Sequence, residues 1–325
     1  MCENLRENNR PPLVIIAGPT ASGKSAAAVE LSKRYSGSVI SADSMQVYRG
    51  MDIGSAKITR DEMQGIPHYL IDILDPTDEW NVVRFQKEAK AALSDIYAKG
   101  RLPFLCGGTG FYIQSLLYDI NFTEIREDTS YREELQRIAE REGPKVLHER
   151  LRLVDPASAD AIPEGNVKRV IRALEYAKES GEKISSHNET EKARSAAYDA
   201  LYFVLTMERA RLYARINERV DRMVREGLVE EVARLKAAGL SASSVSMQGL
   251  GYKQILQYLD GTWTLEEAIE EIKIQTRHFA KRQLTWFRRE EKRNSSLVWI
   301  DKDAFRDTGE MLARMEEKIR EHYHI

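Results

Sequence analysis

The most restrictive feature of this 325-residue sequence is a glycine-rich segment near its start. Residues 18–25 read Gly-Pro-Thr-Ala-Ser-Gly-Lys-Ser and fit the pattern G-x-x-x-x-G-K-[ST]. An apolar run at 13–17 precedes the segment and a helical pattern follows it, which is the strand–loop–helix context that the pattern requires. In this context backbone amides, the positive end of a helix and the Lys24 ammonium grip phosphate oxygens, while the Ser25 hydroxyl can ligate Mg²⁺. We therefore predict a loop that binds a di- or triphosphate through Gly18, Pro19, Thr20, Ala21, Ser22, Gly23, Lys24 and Ser25.

Short apolar runs that alternate with longer helical patterns predict the fold class. Strands separated by helices form a parallel sheet that is covered on both faces. We therefore expect an α/β fold with a P-loop NTPase-like parallel sheet and helices on both faces. The runs that read as strands are 13–17, 38–41, 69–74, 103–106, 201–206 and 297–300. The helical patterns are 24–35, 82–99, 109–118, 210–225, 264–290 and 308–322.

A charged helical region interrupts this alternation. From about residue 124 to 197 the strand-like runs vanish, and helical segments are broken at Gly143-Pro144, Asp155-Pro156, Pro163 and Gly181. We therefore expect an inserted helical domain at 124–198 between two parts of the core, at 1–123 and 199–325.

Composition excludes several classes of protein. With 42% hydrophobic and 31% charged residues, the chain is predicted to be globular, neither disordered nor fibrous. No apolar run approaches the roughly 20 residues of a membrane helix, and the first residues lack the pattern of a secretory signal. We expect a cytoplasmic protein with no membrane association. The two cysteines and six scattered histidines predict neither a disulfide framework nor a metal centre built from their side chains.

Contact with nucleic acid must be local, because the net charge is only −2. Between 273 and 293 eight lysines or arginines stand against Glu290 and Glu291. This segment belongs to a helix whose start is marked by a capping box at Thr264 and Glu267. It is the best candidate surface for a phosphate backbone, and a merely solvated helix face is the alternative. The rings of Phe279, Trp286 and Phe287 within it are expected in the core.

Five further segments carry a resemblance to a known family. They span residues 43–57, 107–112, 168–175, 248–253 and 276–288 and include Gly-Gly-Thr-Gly at 107–110 and Gln-Gly-Leu-Gly-Tyr-Lys at 248–253. Together with the phosphate loop they resemble the tRNA dimethylallyltransferase family over nearly the whole chain. The resemblance implies that the loop holds dimethylallyl diphosphate with Mg²⁺, and that the acceptor is N6 of adenosine 37 beside the tRNA anticodon. It also implies a monomer without an obligate protein partner.

The resemblance assigns roles to individual residues. Asp43, at the end of the second strand, is the candidate base that removes a proton from the adenine amine, and the alternative is a cap for the following turn. Thr109 resembles the family threonine near the substrate base. Arg215, with Arg219 one turn later, is expected to stabilise the leaving diphosphate. The alternative is that these arginines pair with Glu218 or Asp221.

Contacts with tRNA are expected from three kinds of segment: the loop that flanks the adenine, basic helical segments and a glycine-rich turn. The candidate residues are Asp43, Ser44, Met45, Gln46, Thr109, Lys168, Arg169, Arg172, Gln248, Gly249, Gly251, Tyr252, Lys253, Arg277, Lys281 and Arg282.

Two other classes of function remain open from the sequence, because a phosphate loop contacts only phosphate oxygens and not the group they carry. One is a nucleotide or small-metabolite kinase that uses ATP, with Asp72 as a magnesium partner. The other is a non-catalytic RNA-binding protein that is switched by a nucleotide.

Overall fold

The computed structural model describes residues 10–122 and 130–325. Cys2 and the predicted domain boundary near residue 124 lie outside these residues. Within the described residues six strands form one sheet in the order β3-β2-β4-β1-β5-β6, and every neighbouring pair is parallel. The strands are β1 (Pro12–Ala17), β2 (Ser38–Ala42), β3 (His68–Tyr69), β4 (Pro103–Gly107), β5 (Asp199–Thr206) and β6 (Leu297–Asp301). The predicted α/β class with an all-parallel sheet is therefore confirmed.

Helices make up most of the remaining described chain, and none of them is both long and apolar enough to cross a membrane. Single turns of 3₁₀ helix occur at Ser246–Gln248 and Lys302–Ala304. The α-helices are α1 (Lys24–Arg34), α2 (Arg60–Met63), α3 (Val82–Ala98), α4 (Gly110–Leu117), α5 (Ser130–Glu142), α6 (Pro144–Val154), α7 (Pro156–Ala161), α8 (Val167–Ser180), α9 (Ile184–Lys192), α10 (Arg209–Arg225), α11 (Leu228–Ala237), α12 (Tyr252–Leu259), α13 (Leu265–Glu291) and α14 (Thr308–Tyr323).

Both faces of the sheet are buried, which explains why its strands read as continuous apolar runs. Helices α1 and α14 cover one face, where Leu31 and Met315 belong to the same buried cluster as Val14 and Phe203. Adjacent strand residues point to opposite faces, so Tyr202 lies on the other face, where its ring contacts the ring of Phe287 from α13 at 6.4 Å between centres.

One predicted strand is much shorter than expected. The apolar run at 69–74 forms only the two-residue strand β3, and a single bridge between Tyr48 and Leu74 follows it. Leu70 and Asp72 adopt φ values of 64° and 54°. Strands require negative φ, so the chain must turn away from the sheet at these residues. The prediction of a six-residue strand was wrong because periodicity does not report the sign of φ.

The chain divides into two compact units, Met1–Leu117 with Ala196–Ile325, and Tyr118–Ser195. The second unit contains α5 to α9 around its own buried cluster, which includes Leu135, Leu147, Leu151 and Leu174. Its helices end where glycine and proline predicted breaks: α6 begins after Gly143, and α8 ends at Gly181, whose φ is 72°.

Candidate active site

The loop between β1 and α1 has the geometry that its glycines allow. At Gly18 a Cβ atom would lie 2.6 Å from the carbonyl oxygen of Leu205, so only glycine fits against β5. Gly23 precedes α1 with φ of 90°, in the left-handed region that favours glycine. The loop therefore approaches the neighbouring strand closely and directs the start of α1 toward the space where a phosphate would bind.

Lys24 supplies the charge of this loop. Its ammonium donates to the Pro19 carbonyl at 3.5 Å and forms no ion pair among the described residues. Burial lowers the pKa of Lys24, Arg219 lowers it further, and the negative charge of Asp43 raises it. The Ser22 hydroxyl is fully buried and has no hydrogen-bond partner in the described part of the chain. A buried ammonium without an ion pair and a buried hydroxyl without a hydrogen-bond partner, among the described residues, fit a site for an anion.

Both candidate arginines contact the loop. Arg215 donates from Nε to the Ala21 carbonyl at 3.0 Å, and Arg219 donates from Nη1 to Thr20 Oγ1 at 3.2 Å. Arg219 is the deeper of the two, because it is half-buried whereas Arg215 is exposed. Burial lowers the pKa of Arg219, while the negative charge of Asp43 raises it. Asp221 pairs instead with Lys273 at 2.6 Å. The alternative in which these arginines serve surface ion pairs on their own helix is not the arrangement found.

The sheet brings three distant segments to one edge. Ala42 of β2 pairs with Gly107 of β4, and Ala17 of β1 also pairs with Gly107. The residues that follow these strands are therefore neighbours, and the Thr109 amide donates to the Ala42 carbonyl at 3.4 Å. Asp43, Thr109 and the phosphate loop consequently meet at the carboxyl edge of the sheet, where open α/β folds bind their ligands.

Asp43 caps the turn that follows it, as the alternative interpretation predicted. Its Oδ1 accepts from the Met45 amide at 2.8 Å and from the Gln46 amide at 3.4 Å. Oδ2 takes no part in these two bonds. The cap fixes the carboxylate beside Lys24 and Arg219. Burial lowers the pKa of both cations, and the negative charge of Asp43 opposes this lowering. Capping by Oδ1 is therefore compatible with the role of base that the resemblance implies, because Oδ2 could take the proton.

Cys106 lies behind the loop, next to the end of β4. Its thiol is buried, and burial raises its pKa to about 11, although Lys24 and a bond with the Ser25 side chain oppose this. The sequence placed this cysteine only in an apolar run. In the structure it forms a neutral wall of the site, because the thiol keeps its proton near neutral pH.

The candidate tRNA segments of the core unit differ in exposure. Ser44, Met45 and Gln46 are half-buried, and a Cβ atom on Gly249 would lie 2.5 Å from Met45 Cε, so the segments 43–46 and 248–253 are in contact. Gln248 and Lys253 are exposed, whereas Gly251 and Tyr252 are buried. Tyr252 lies against Gly54 and donates to Glu231 Oε1 at 2.8 Å. Tyr252 therefore contacts protein on both sides rather than solvent.

Helix α13 presents part of its basic face to solvent. Lys281 and Arg282 are exposed, while Arg277 donates to Asn217 Oδ1 at 2.7 Å. Phe287 is fully buried, as predicted, but Phe279 and Trp286 are only half-buried. The Arg282 guanidinium lies 5.8 Å from the centre of the Phe279 ring. Trp286 lies against Gly110, and its ring centre is 6.1 Å from that of Phe111.

In the helical unit, Lys168 and Arg169 are exposed in the first turn of α8. Arg172 is half-buried, and burial lowers its pKa while Glu175 raises it. Lys168 and Arg169 are thus available to a phosphate backbone, and Arg172 is less so.

Asp72 does not lie at the phosphate loop. It follows the edge strand β3, which β2 and β4 separate from β1. Its carboxylate and that of Asp52 both pair with Lys57. The arrangement therefore provides no basis for Asp72 as a magnesium partner of a kinase.

Two further side chains at the loop were not identified from the sequence. Gln283 of α13 accepts from the Thr20 amide at 3.0 Å and donates to the Gly108 carbonyl at 2.9 Å. Lys302 donates to the Ser22 carbonyl at 3.2 Å. Gln283 could have been found as a polar residue at a core position of the helix, and Lys302 as the residue that follows a strand at the same edge.

The residues present are compatible with Mg²⁺ held mainly by substrate. The described residues contain no group of three or more His, Cys, Asp or Glu side chains that could hold a metal. Mg²⁺ commonly takes one or two protein oxygens and completes its shell with phosphate oxygens and water. The Ser25 hydroxyl, next to Lys24 at the start of α1, is a donor of this kind.

Comparison with known proteins agrees with this geometry. A family model described as IPP transferase matches residues 46–290, and one described as isopentenyl transferase matches residues 11–75. A curated relative is the tRNA dimethylallyltransferase of Lachnoclostridium phytofermentans, which is 51% identical over 310 residues, 95% of this chain and 98% of its own length.

Solved structures give the same result. The full-length tRNA isopentenylpyrophosphate transferase from Bacillus halodurans is 44% identical, with a TM-score of 0.72, over 96% of this chain and 97% of that chain. A eukaryotic dimethylallyltransferase acting on tRNA is 28% identical, with a TM-score of 0.79, over 95% of this chain and 79% of that one. The resemblance predicted from the sequence segments is confirmed. Since the matches extend over nearly the whole length and include the phosphate loop, this chain belongs to the tRNA dimethylallyltransferase, or IPP transferase, family.

Proposed function

We propose that this protein transfers a dimethylallyl group from dimethylallyl diphosphate to N6 of adenosine 37 in tRNA, giving N6-(dimethylallyl)adenosine and diphosphate. The observation that carries the proposal is the meeting of a carboxylate, Asp43, with the phosphate loop and Thr109 at one edge of the sheet. A loop for the leaving group and a base for the acceptor are the two requirements of this reaction.

Cations of the loop act on the donor. The diphosphate binds in the loop of residues 18–25 at the start of α1, with Lys24, Arg215 and Arg219 around it. As the bond between the allylic carbon and the diphosphate oxygen breaks, negative charge accumulates on that oxygen, and these fixed cations stabilise it. Mg²⁺, when held by the Ser25 hydroxyl and the diphosphate oxygens, would add positive charge at the same place.

Asp43 acts on the acceptor. An adenine amine is a poor nucleophile because its lone pair is delocalised into the ring, so removal of its proton assists attack. The new bond joins N6 to the allylic carbon, and the proton passes to Asp43. Thr109, half-buried beside Ala42, is positioned to orient the base, while Ser44, Met45 and Gln46 flank it. The adenine must leave the base stack to reach this place.

Binding of tRNA is assigned to exposed cations and to the segments around the adenine. Phosphate contacts of this kind position the RNA without reading its sequence. The residues proposed for tRNA binding, in addition to Asp43, Ser44, Met45, Gln46 and Thr109, are Lys168, Arg169, Arg172, Gln248, Gly249, Gly251, Lys253, Arg277, Lys281 and Arg282. Tyr252 acts from within the protein, by fixing the turn that carries Lys253.

A pair of incubations tests the proposal. Unmodified tRNA is incubated with labelled dimethylallyl diphosphate and Mg²⁺, and separately the protein is incubated with ATP alone. We expect label in tRNA at adenosine 37 and no consumption of ATP. ATP hydrolysis or phosphoryl transfer without any labelled tRNA would instead indicate the kinase or the nucleotide-switched protein. A Lys24→Ala variant serves as the control, because it removes the central cation of the loop.

A further inference from the structure

Lys302 is a cation at the phosphate loop to which the proposed mechanism gives no role. It follows β6, whose last residue, Asp301, pairs with Thr206 of β5, the strand beside β1. Lys302 therefore lies at the same carboxyl edge as the loop, although it is far from it in sequence. It also lies outside residues 46–290, which match the IPP transferase model.

The ammonium of Lys302 holds the second half of the loop. Its Nζ donates to the Ser22 carbonyl at 3.2 Å, and a Cβ atom on Gly23 would lie 2.9 Å from Nζ. The absence of a side chain at Gly23 thus leaves the space that this ammonium occupies. Arg219 holds Thr20, Arg215 holds Ala21 and Lys302 holds Ser22, so three cations contact three successive loop residues.

The charge of Lys302 lacks a carboxylate partner. Among the described residues it forms no ion pair, and the neighbouring Asp303 is engaged by Arg211 and by the Glu208 amide. Burial lowers the pKa of Lys302, and Arg215 and Arg211 lower it further. Like charges held close together destabilise one another unless an anion lies between them or nearby.

We propose that Lys302 is a further residue of the diphosphate site, which positions the Ser22–Gly23 part of the loop and adds positive charge beside the leaving group. This inference rests on the proposed function, since it takes the bound anion to be the diphosphate of the isoprenoid donor. Lys302 contacts the loop through the Ser22 carbonyl, so it is a positioning residue that acts through the loop.

The test compares Lys302→Gln, which removes the charge, with Lys302→Arg, which keeps it. Inorganic pyrophosphate binding is measured by calorimetry, and transfer from dimethylallyl diphosphate to tRNA is measured by steady-state kinetics. For Lys302→Gln we expect pyrophosphate binding and kcat/KM for the donor to fall about five- to tenfold, with KM for tRNA unchanged. Lys302→Arg should stay within about threefold of the wild type. Lys87→Gln, which removes an exposed lysine on α3, is the matched control and should change neither quantity.

Ionic strength separates an electrostatic role from a purely structural one. The difference between wild type and Lys302→Gln should shrink as salt rises from about 0.05 M to about 0.5 M, because added ions screen the lysine charge. Equal pyrophosphate affinity in wild type and Lys302→Gln would overturn the inference. A loss of the same size in both variants and at every salt concentration would also overturn the inference, because the charge of Lys302 would then make no contribution to anion binding. A wild-type protein that neither binds pyrophosphate nor modifies tRNA would refute the proposed function itself.

Discussion

At the scale of single residues, Asp43 combines an observed turn cap, made by Oδ1, with the role of base that we propose for it. Oδ1 is held by the amides of Met45 and Gln46, so the carboxylate cannot rotate freely, and Oδ2, which takes no part in these bonds, is the oxygen that we propose for the substrate. A fixed base requires less reorganisation when the adenine arrives. The turn cap, which from the sequence was an alternative to catalysis, would thus orient Asp43 for the proposed role as base.

Asp43→Asn separates these tasks. Asparagine keeps an oxygen for the two amides, but its amide nitrogen cannot accept a proton. We expect kcat to fall about a hundredfold or more, while pyrophosphate affinity stays equal or rises slightly because a nearby negative charge is lost. Rapid-quench assays and calorimetry measure the two quantities. Asp43→Ala, which also loses the cap, should be at least as impaired. Normal turnover in either variant would remove Asp43 from its role as base.

At the scale of elements, α13 connects the phosphate loop to the glycine-rich turn that follows β4. Gln283 bonds to the Thr20 amide on one side and to the Gly108 carbonyl on the other, and it is buried. Glutamine suits this place because one end of its amide accepts and the other donates. The same helix presents Lys281 and Arg282 to solvent, so one element carries both the proposed RNA contact and the link between the two halves of the site.

Gln283→Met keeps the shape of the side chain and removes both bonds. The half-buried Thr20 amide and the buried Gly108 carbonyl would then lose these partners, so we expect a loss of about 1–3 kcal/mol in the free energy of unfolding. We also expect kcat to fall at least tenfold, with KM for tRNA little changed, because the donor and acceptor segments lose their fixed spacing. Gln275→Met on the same helix is the control, since the Gln275 side chain donates to Glu271 one turn earlier on α13. Equal kcat in the two variants would argue against the role of Gln283.

A buried carboxylate of α11 holds two other segments of the chain. Glu231 of α11 accepts from the amides of Asp52, Ile53 and Gly54 at 2.9–3.0 Å, and from the Tyr252 hydroxyl. Burial and Glu231 both raise the pKa of Tyr252, so the tyrosine remains a donor. One carboxylate therefore fixes both the segment 52–54 and the start of α12 at Tyr252.

Glu231→Gln tests this link. A glutamine presents only one acceptor oxygen and turns its amide hydrogens toward donors, so we expect a loss of about 2–4 kcal/mol in the free energy of unfolding. Urea denaturation measures it. Glu230→Gln, at the exposed neighbouring position, should change stability by less than about 0.5 kcal/mol. Similar values for the two variants would show that the buried carboxylate contributes little.

At the scale of the whole molecule, the strand order creates the site. Ala17, Ala42 and Gly107 end adjacent strands, so residues from three distant parts of the sequence meet at one edge. The two chain segments of the core unit also lie next to each other where the helical unit is inserted between them. The Ala197 amide donates to the Leu117 carbonyl at 2.8 Å, so the two core segments meet at their ends.

This closeness allows the helical unit to be removed. We expect a chain in which a short glycine-serine linker replaces residues 118–195 to fold and to bind pyrophosphate within about threefold of the intact protein, because the linker has little distance to span. Its affinity for tRNA should fall at least tenfold, since Lys168 and Arg169 are lost. Calorimetry and filter binding measure the two affinities. Unchanged tRNA affinity would exclude the helical unit from RNA binding.

The sequence alone determined features whose signals are local. The phosphate loop, the strands 13–17 and 103–106, and the helix breaks at Gly143 and Gly181 follow from the conformations that neighbouring residues permit. The tertiary structure alone decided which distant groups meet. It joined Gln283 to Thr20 across 263 residues, placed Lys302 against Ser22, buried Tyr252 and turned the chain away from the sheet at Leu70. Local signals cannot specify such contacts, because they depend on strand order and on the direction of side chains that only packing selects.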